Sequence, residues 1–100
     1  MRNLFAVLRT RGPAWDATRP MRGQRGWAEH AAFMDNLAAG GFVVMGGPVG
    51  HDEQDFLFAV KAADERQIRS TLERDPWSQS RQLELRSIQP WIILLESAEK

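Results

Sequence analysis

The spacing of apolar residues changes from segment to segment along this chain, and each change marks an expected element. Leu4-Phe5-Ala6-Val7-Leu8 is an unbroken apolar run whose Phe and Val content favours a buried strand over a helix too short to stand alone. From Thr10 to Gly26 the chain turns to Gly, Pro and Arg, with Trp15 and Met21 interleaved, and Pro13 and Pro20 interrupt any regular element. This stretch reads as one long loop packed over something by its apolar side chains. From Trp27 a helical period takes over: Trp27, His30, Ala31, Met34, Leu37 and Ala38 share one face, with Phe33 at its edge and Gly40-Gly41 as the stop. Phe42 to Met45 is a second short strand, ended by Gly46-Gly47-Pro48, and Phe56 to Val60 is a third, with a hairpin loop over Val49 to Asp55. Asp64 caps the next helix with Gln67 three positions on, and Ile68 and Leu72 mark its inner face before Asp75-Pro76 ends it. Leu83, Leu85 and Ser87 alternate with Gln82, Glu84 and Arg86 in a half-exposed fourth strand. Pro90-Trp91 then interrupts before the Ile92 to Leu95 run.

The order strand, helix, strand, strand, helix, strand predicts an α+β, ferredoxin-like βαββαβ sandwich with an antiparallel sheet and two helices on one face. Strands one to three are apolar at successive positions, so both sheet faces call for burial. In a chain of 100 residues the second face is expected to be covered by another copy packed sheet to sheet, a homodimer. A single domain over 1–100 is expected, with an Arg/Pro/Gly-rich loop over 10–26 and a C-terminal extension over 91–100.

Composition narrows the function classes. Thirteen basic and thirteen acidic residues balance, so no bulk charge draws the chain to nucleic acid or to an anionic membrane. Locally the balance breaks: residues 1–26 hold six arginines against Asp16 alone. The absence of cysteine removes disulfides, thiolate zinc sites and thiol nucleophiles. The apolar run near the start is too short for a signal-peptide core or a membrane span, and a cytoplasmic location is expected.

His30 carries the first candidate chemistry. It lies on the inward helical face, in the first turns where the dipole favours the neutral ring, a state suited to proton transfer near pH 7. A core histidine satisfied by a backbone carbonyl is the other reading. Asp75, read as the end of the second helix, stands at the unfavourable end of a dipole and needs a cationic or hydrogen-bonding partner; His30 is a candidate because both helices share one sheet face. A turn cap before proline is the alternative. Arg9, Arg11, Arg19, Arg22 and Arg25 suit a carboxylate-bearing substrate or simply solvated surface. Trp15, Trp27 and Trp77 suit stacking on a planar ligand or core packing. Gly46, Gly47 and Pro48 allow a ligand close to the backbone but lack the Lys-Ser/Thr of a phosphate loop. His51, Asp52, Glu53 and Asp55 have no organising spacing, so no metal is assigned, and no serine has an elbow motif.

Read together, Trp27-Ala28-Glu29-His30-Ala31-Ala32-Phe33-Met34, the run to Gly46-Gly47-Pro48, Asp75-Pro76-Trp77 and Ile88-Gln89-Pro90-Trp91 resemble the YCII-related family over most of the chain. The resemblance implies a dimeric α/β barrel, related in architecture to muconolactone isomerases and small monooxygenases. It also implies that His30 and Asp75 form an active-site pair, and one kind of family member looks like a dehydrochlorinase of a chlorinated hydroxyquinol. The Arg-rich first loop with Trp15 and the tail after Trp91 depart from short members. The expected function is a small enzyme of lyase or isomerase type that needs no cofactor. In it His30 transfers a proton, Asp75 orients the ring and favours the imidazolium, and Arg9, Trp15, Arg25, Trp27, Gly46, Gly47, Pro48 and Trp77 bind an anionic or aromatic substrate. A non-catalytic domain for a small ligand or protein, and a cofactor-free oxygenase, are the rival readings.

Overall fold

A computed structural model describes residues 3–98. Its elements are strand β1 (Asn3–Arg11), a 3-10 turn (Met21–Gly23), helix α1 (Trp27–Ala39), strands β2 (Val43–Val49) and β3 (Asp55–Ala62), helices α2 (Glu65–Leu72) and α3 (Pro76–Gln79), and strand β4 (Leu83–Pro90). The strands form one antiparallel sheet in the order β2-β3-β1-β4, the ferredoxin-like arrangement. Among the described residues no helix is long and apolar enough to cross a membrane.

Alternation along β1 sorts its side chains between faces. Phe5, Val7 and Arg9 are buried on the helix side, and Leu4, Ala6 and Leu8 point the other way. The helix side holds the main core, where Phe5 and Val7 meet Val43, Val60, Ile68 and Leu72, with Met34 and Leu37 of α1 packed on top. A second cluster of Trp15, Phe56, Trp77 and Leu83 fills the end of the sheet where α3 lies. Registers Ala6↔Ala59 and Leu8↔Leu57 lay an apolar strip along the opposite face, where Met45, Leu57, Ala59 and Trp91 line a recess of 380 Å³.

The ends of β1, β2 and α2 differ from the sequence expectation, each for a local reason. β1 runs on to Arg11, because Arg9 is an inward strand residue and not the start of the loop. β2 continues through Gly46-Gly47-Pro48 as an edge strand; proline is tolerated there because its outer side owes no ladder bond. A Cβ on Gly46 would lie 2.2 Å from Phe58 Cδ1, so this glycine serves close packing against β3, not a turn. α2 stops at Leu72, and Asp75 does not end it: Asp75 is the N-cap of α3, with Pro76 in the first turn where no N–H is needed. Asp64 caps α2 as expected, accepting from Gln67 N at 2.8 Å.

The loop between β1 and α1 is organised by one buried side chain. Gln24 accepts from Asp16 N at 2.9 Å and donates to Asp16 O at 2.7 Å and Arg19 O at 2.9 Å, closing the segment on itself. Glu53 of the β2–β3 hairpin accepts from Met21 N at 2.9 Å and ties the 3-10 turn to the sheet. After Pro90 the chain has no regular structure through Glu96, and Ile92, Leu94 and Leu95 are 79%, 87% and 92% exposed.

Candidate functional site

Asp75 is the hub of the buried polar groups. As N-cap of α3 it accepts from Trp77 N at 2.9 Å, and its side chain is wholly enclosed. His30, one turn into α1, places Nδ1 2.9 Å from both carboxylate oxygens. From beneath, Arg9 Nη1 donates to Asp75 Oδ2 at 2.8 Å and Nη2 to Ser78 Oγ at 2.7 Å. Burial alone would push the Asp75 carboxyl up; the His30 hydrogen bond, the Arg9 charge and the Trp77 N–H outweigh it and hold it below the ordinary aspartate value. A carboxylate only accepts, so Nδ1 of His30 carries the proton on this side of the ring. Nε2 is the nitrogen left for the cavity that His30 lines, and among the described residues it has no hydrogen-bond partner.

Aromatic rings hold the imidazole in place. Trp77 stacks on it with centroids 4.0 Å apart and planes 7° from parallel, and Trp27 lies at 5.9 Å on another side. Trp77 is itself clamped: its Nε1 donates to Arg25 O at 2.8 Å, Gln82 Nε2 donates to the same carbonyl at 2.9 Å, and Trp15 meets it edge-on at 5.6 Å. Before the pair lies a cavity of 210 Å³, with His30, Trp27 and Trp77 on one side and Gly46, Gly47 and Pro48 across it. Met21, Met34, Phe56, Phe58 and Leu83 complete an almost wholly apolar lining.

The expected site residues thus separate. His30, Trp27, Trp77, Gly46, Gly47 and Pro48 meet at the cavity, and Asp75 stands directly behind His30. Trp15 lies behind Trp77, against Phe56. Arg25 offers its backbone carbonyl to Trp77 while the residue is exposed, and it borders a separate polar recess of 350 Å³ with Arg19 and Gln24. Arg9 is fully buried and engaged by Asp75 and Ser78, so it faces no substrate. The remaining arginines do not converge: Arg11 lies over Trp15 and bonds Glu53 O, Arg19 pairs with Asp16, and Arg22 lies over Trp27. Among the described residues no arginine lines the His30 cavity, so Arg9, Arg11, Arg19, Arg22 and Arg25 form no shared anion clamp there.

The sequence patterns assign neither Ser78 nor the walls of Met21, Met34, Phe56 and Phe58 to the site. Ser78 has a local signal, since it stands three residues after the N-cap in Asp75-Pro76-Trp77-Ser78, on the turn that the carboxylate caps, where its hydroxyl accepts from Arg9. The walls have none, because Met21, Met34, Phe56 and Phe58 come from a turn, a helix and a strand.

Neither a family model nor a curated protein matches the chain. Among solved structures, 5-chloro-2-hydroxyhydroquinone dehydrochlorinase (TftG) of Burkholderia phenoliruptrix, in complex with 2,5-dihydroxybenzoquinone, superposes on it with a TM-score of 0.67. The match covers 89% of this chain and 93% of that chain at 22% sequence identity. The likeness shows a shared fold.

Proposed function

We propose that this chain is a small-molecule enzyme of the YCII-related type, in which His30 acts as general base on a single-ring, planar, largely apolar substrate. The observation that carries the reading is the placement of the ring: a wholly buried carboxylate takes Nδ1–H, while Nε2 has no partner among the described residues and His30 lines an apolar cavity. The cavity also limits the substrate. An apolar cavity of about 150 Å³ is known to hold benzene, so 210 Å³ suits one substituted ring. Its apolar lining favours the aromatic over the anionic alternative. The superposed dehydrochlorinase acts on a chlorinated hydroxyhydroquinone, which agrees with a ring that loses a proton and a leaving group.

In the proposed step Nε2 takes a proton from a ring hydroxyl or an activated C–H. From a C–H, the electron pair left behind forms a double bond to the neighbouring carbon, which expels its leaving group as an anion while the imidazolium gives its proton to solvent. From a hydroxyl, the imidazolium returns the proton to a ring carbon and a keto tautomer forms. The first outcome is a lyase reaction and the second an isomerisation. Asp75 holds the ring in place during both, and Trp77 limits its rotation.

A homodimer is part of the proposal. The helix-free face of the sheet carries Leu8, Leu57 and Ala59 beside the exposed Met45, Val49 and Trp91, and a second copy packed there would complete a dimeric α/β barrel.

The test uses substituted hydroquinones and hydroxyquinones, with binding followed by tryptophan emission and turnover by ultraviolet absorbance. His30→Gln is expected to keep binding within a few-fold and to lose about 10²–10⁴-fold in turnover. Equal turnover by wild type and His30→Gln would reject the base, and binding without turnover of any of these rings would favour a non-catalytic ligand domain.

A further inference from the structure

Arg9 occupies a place that the strand pattern reserves for an apolar side chain. It follows Phe5 and Val7 on the inward face of β1, beside a register shift against β4 between Leu8 and Arg9, and it is 0% exposed. Its guanidinium grips two residues of one turn: Nη1 holds Asp75 and Nη2 holds Ser78, while Nε is buried without a hydrogen-bond partner. Buried ion pairs are often no more stable than well-packed apolar replacements, and an unmet donor makes this one costlier. Stability alone therefore does not account for an arginine here.

Its charge does. A carboxylate fully enclosed in protein and touching only an imidazole would draw a second proton onto that ring, because a lone buried negative charge is the costly state. With Arg9 beneath it the carboxylate is already neutralised. A second proton on His30 would then place a net positive charge among Trp27, Trp77 and Met34. The other groups around the ring do not alter this balance. β2 and β3 present Gly46, Gly47, Pro48, Phe56 and Phe58, Glu29 next to His30 is exposed, and Arg22 sits outside Trp27 at 5.8 Å.

We infer that Arg9 is a positioning residue that locks the Asp75 carboxylate and cancels its charge, so that Asp75 orients His30 without making it an imidazolium. This rests on the reading of His30 as the base and deepens it: the enzyme begins its cycle by removing a proton, not by donating one. It also reverses the expectation that Asp75 favours the charged ring.

The test reads the charge state of the ring directly. In a 15N-labelled His51→Gln protein His30 is the only histidine, and its two ring-nitrogen shifts distinguish the Nδ1–H tautomer, the other tautomer and the imidazolium. At pH 7.5 the parent is expected to show the neutral Nδ1–H form. Arg9→Met is expected to raise the charged-to-neutral ratio at least tenfold, and adding Asp75→Asn should reverse that rise. An imidazolium in the parent, or a neutral ring in folded Arg9→Met, overturns the inference. Should Arg9→Met fail to fold, Arg9→Lys decides: it keeps the cation and is expected to keep the ring neutral, and a charged ring there refutes the charge role. No substrate enters these measurements, so they are decided independently of whether His30 turns a ligand over.

Discussion

Asp75 receives three donors from three elements, and that convergence makes it the residue whose loss should be felt most widely. Asp75→Ala would leave Arg9 charged, buried and without its carboxylate; removing one partner of a buried pair costs about 3–5 kcal/mol. Urea unfolding of the two proteins measures this loss. The same contacts make a prediction about acid. Because folding holds the Asp75 carboxyl below its ordinary value, its contribution to stability is complete above about pH 3.9 and is lost as pH falls through the lower folded-state value. Thermal unfolding followed from pH 5 to pH 2 should therefore be less steep in Asp75→Asn than in wild type. A parallel decline in both would show that the carboxylate is not held down by its partners.

At the scale of elements, the cavity wall depends on how closely β2 lies against β3. A Cβ on Gly46 would meet Phe58 Cδ1 at 2.2 Å and Leu57 O at 3.0 Å, whereas one on Gly47 meets nothing within 4 Å. Gly46→Ala is expected to cost about 1–3 kcal/mol through overpacking and to displace Phe58 into the cavity, while Gly47→Ala leaves stability within experimental error. Comparing denaturant midpoints and ring-ligand affinity for the pair checks both halves of this statement. The first loop works on the opposite wall, where Arg25 O holds Trp77 Nε1 and Gln24 holds the loop. Gln24→Ala should quicken amide exchange across 15–25 and loosen Trp77, with little change in the exchange of β3.

For the whole molecule, the two faces of the sheet pose different problems. The helix face is closed by α1 and α2 over Phe5, Val7 and Val60. The other carries Leu8, Leu57 and Ala59 with no helix upon it, next to a tail whose Leu94 and Leu95 are almost fully exposed. Such a surface favours association with a second copy, and light scattering at micromolar concentration is expected to give twice the chain mass of 11.4 kDa. Leu57→Glu, which puts a charge at the centre of that face, should return the monomer mass with the helical circular dichroism unchanged. A wild type that runs as a monomer would remove the dimer from the proposal.

How far the sequence reached can be followed in particular residues. The helical period from Trp27 to Ala38 placed His30 inward, the alternation of apolar runs predicted four strands, and Asp64 with Gln67 marked a helix start, because these are patterns between near neighbours. The need of Asp75 for a partner is legible in the sequence, yet through the wrong helix end: Asp75-Pro76 closes one helix or opens another, and only the short turn over Pro76–Gln79 decides which. Local reading puts Arg9 at the loop edge as a substrate ligand, and its inward place lies beyond that reading. A charged residue after an apolar run looks like the end of a strand, and it becomes an inward residue only when a carboxylate 66 positions away is folded against it. The first-loop arginines likewise offer a count without directions, and packing turns Arg11, Arg19 and Arg22 to separate partners. The chain's short-range patterns determined its elements, their expected sheet and the inward histidine. Tertiary structure alone decided which charges meet, because pairing across the sheet depends on distances that no local period encodes.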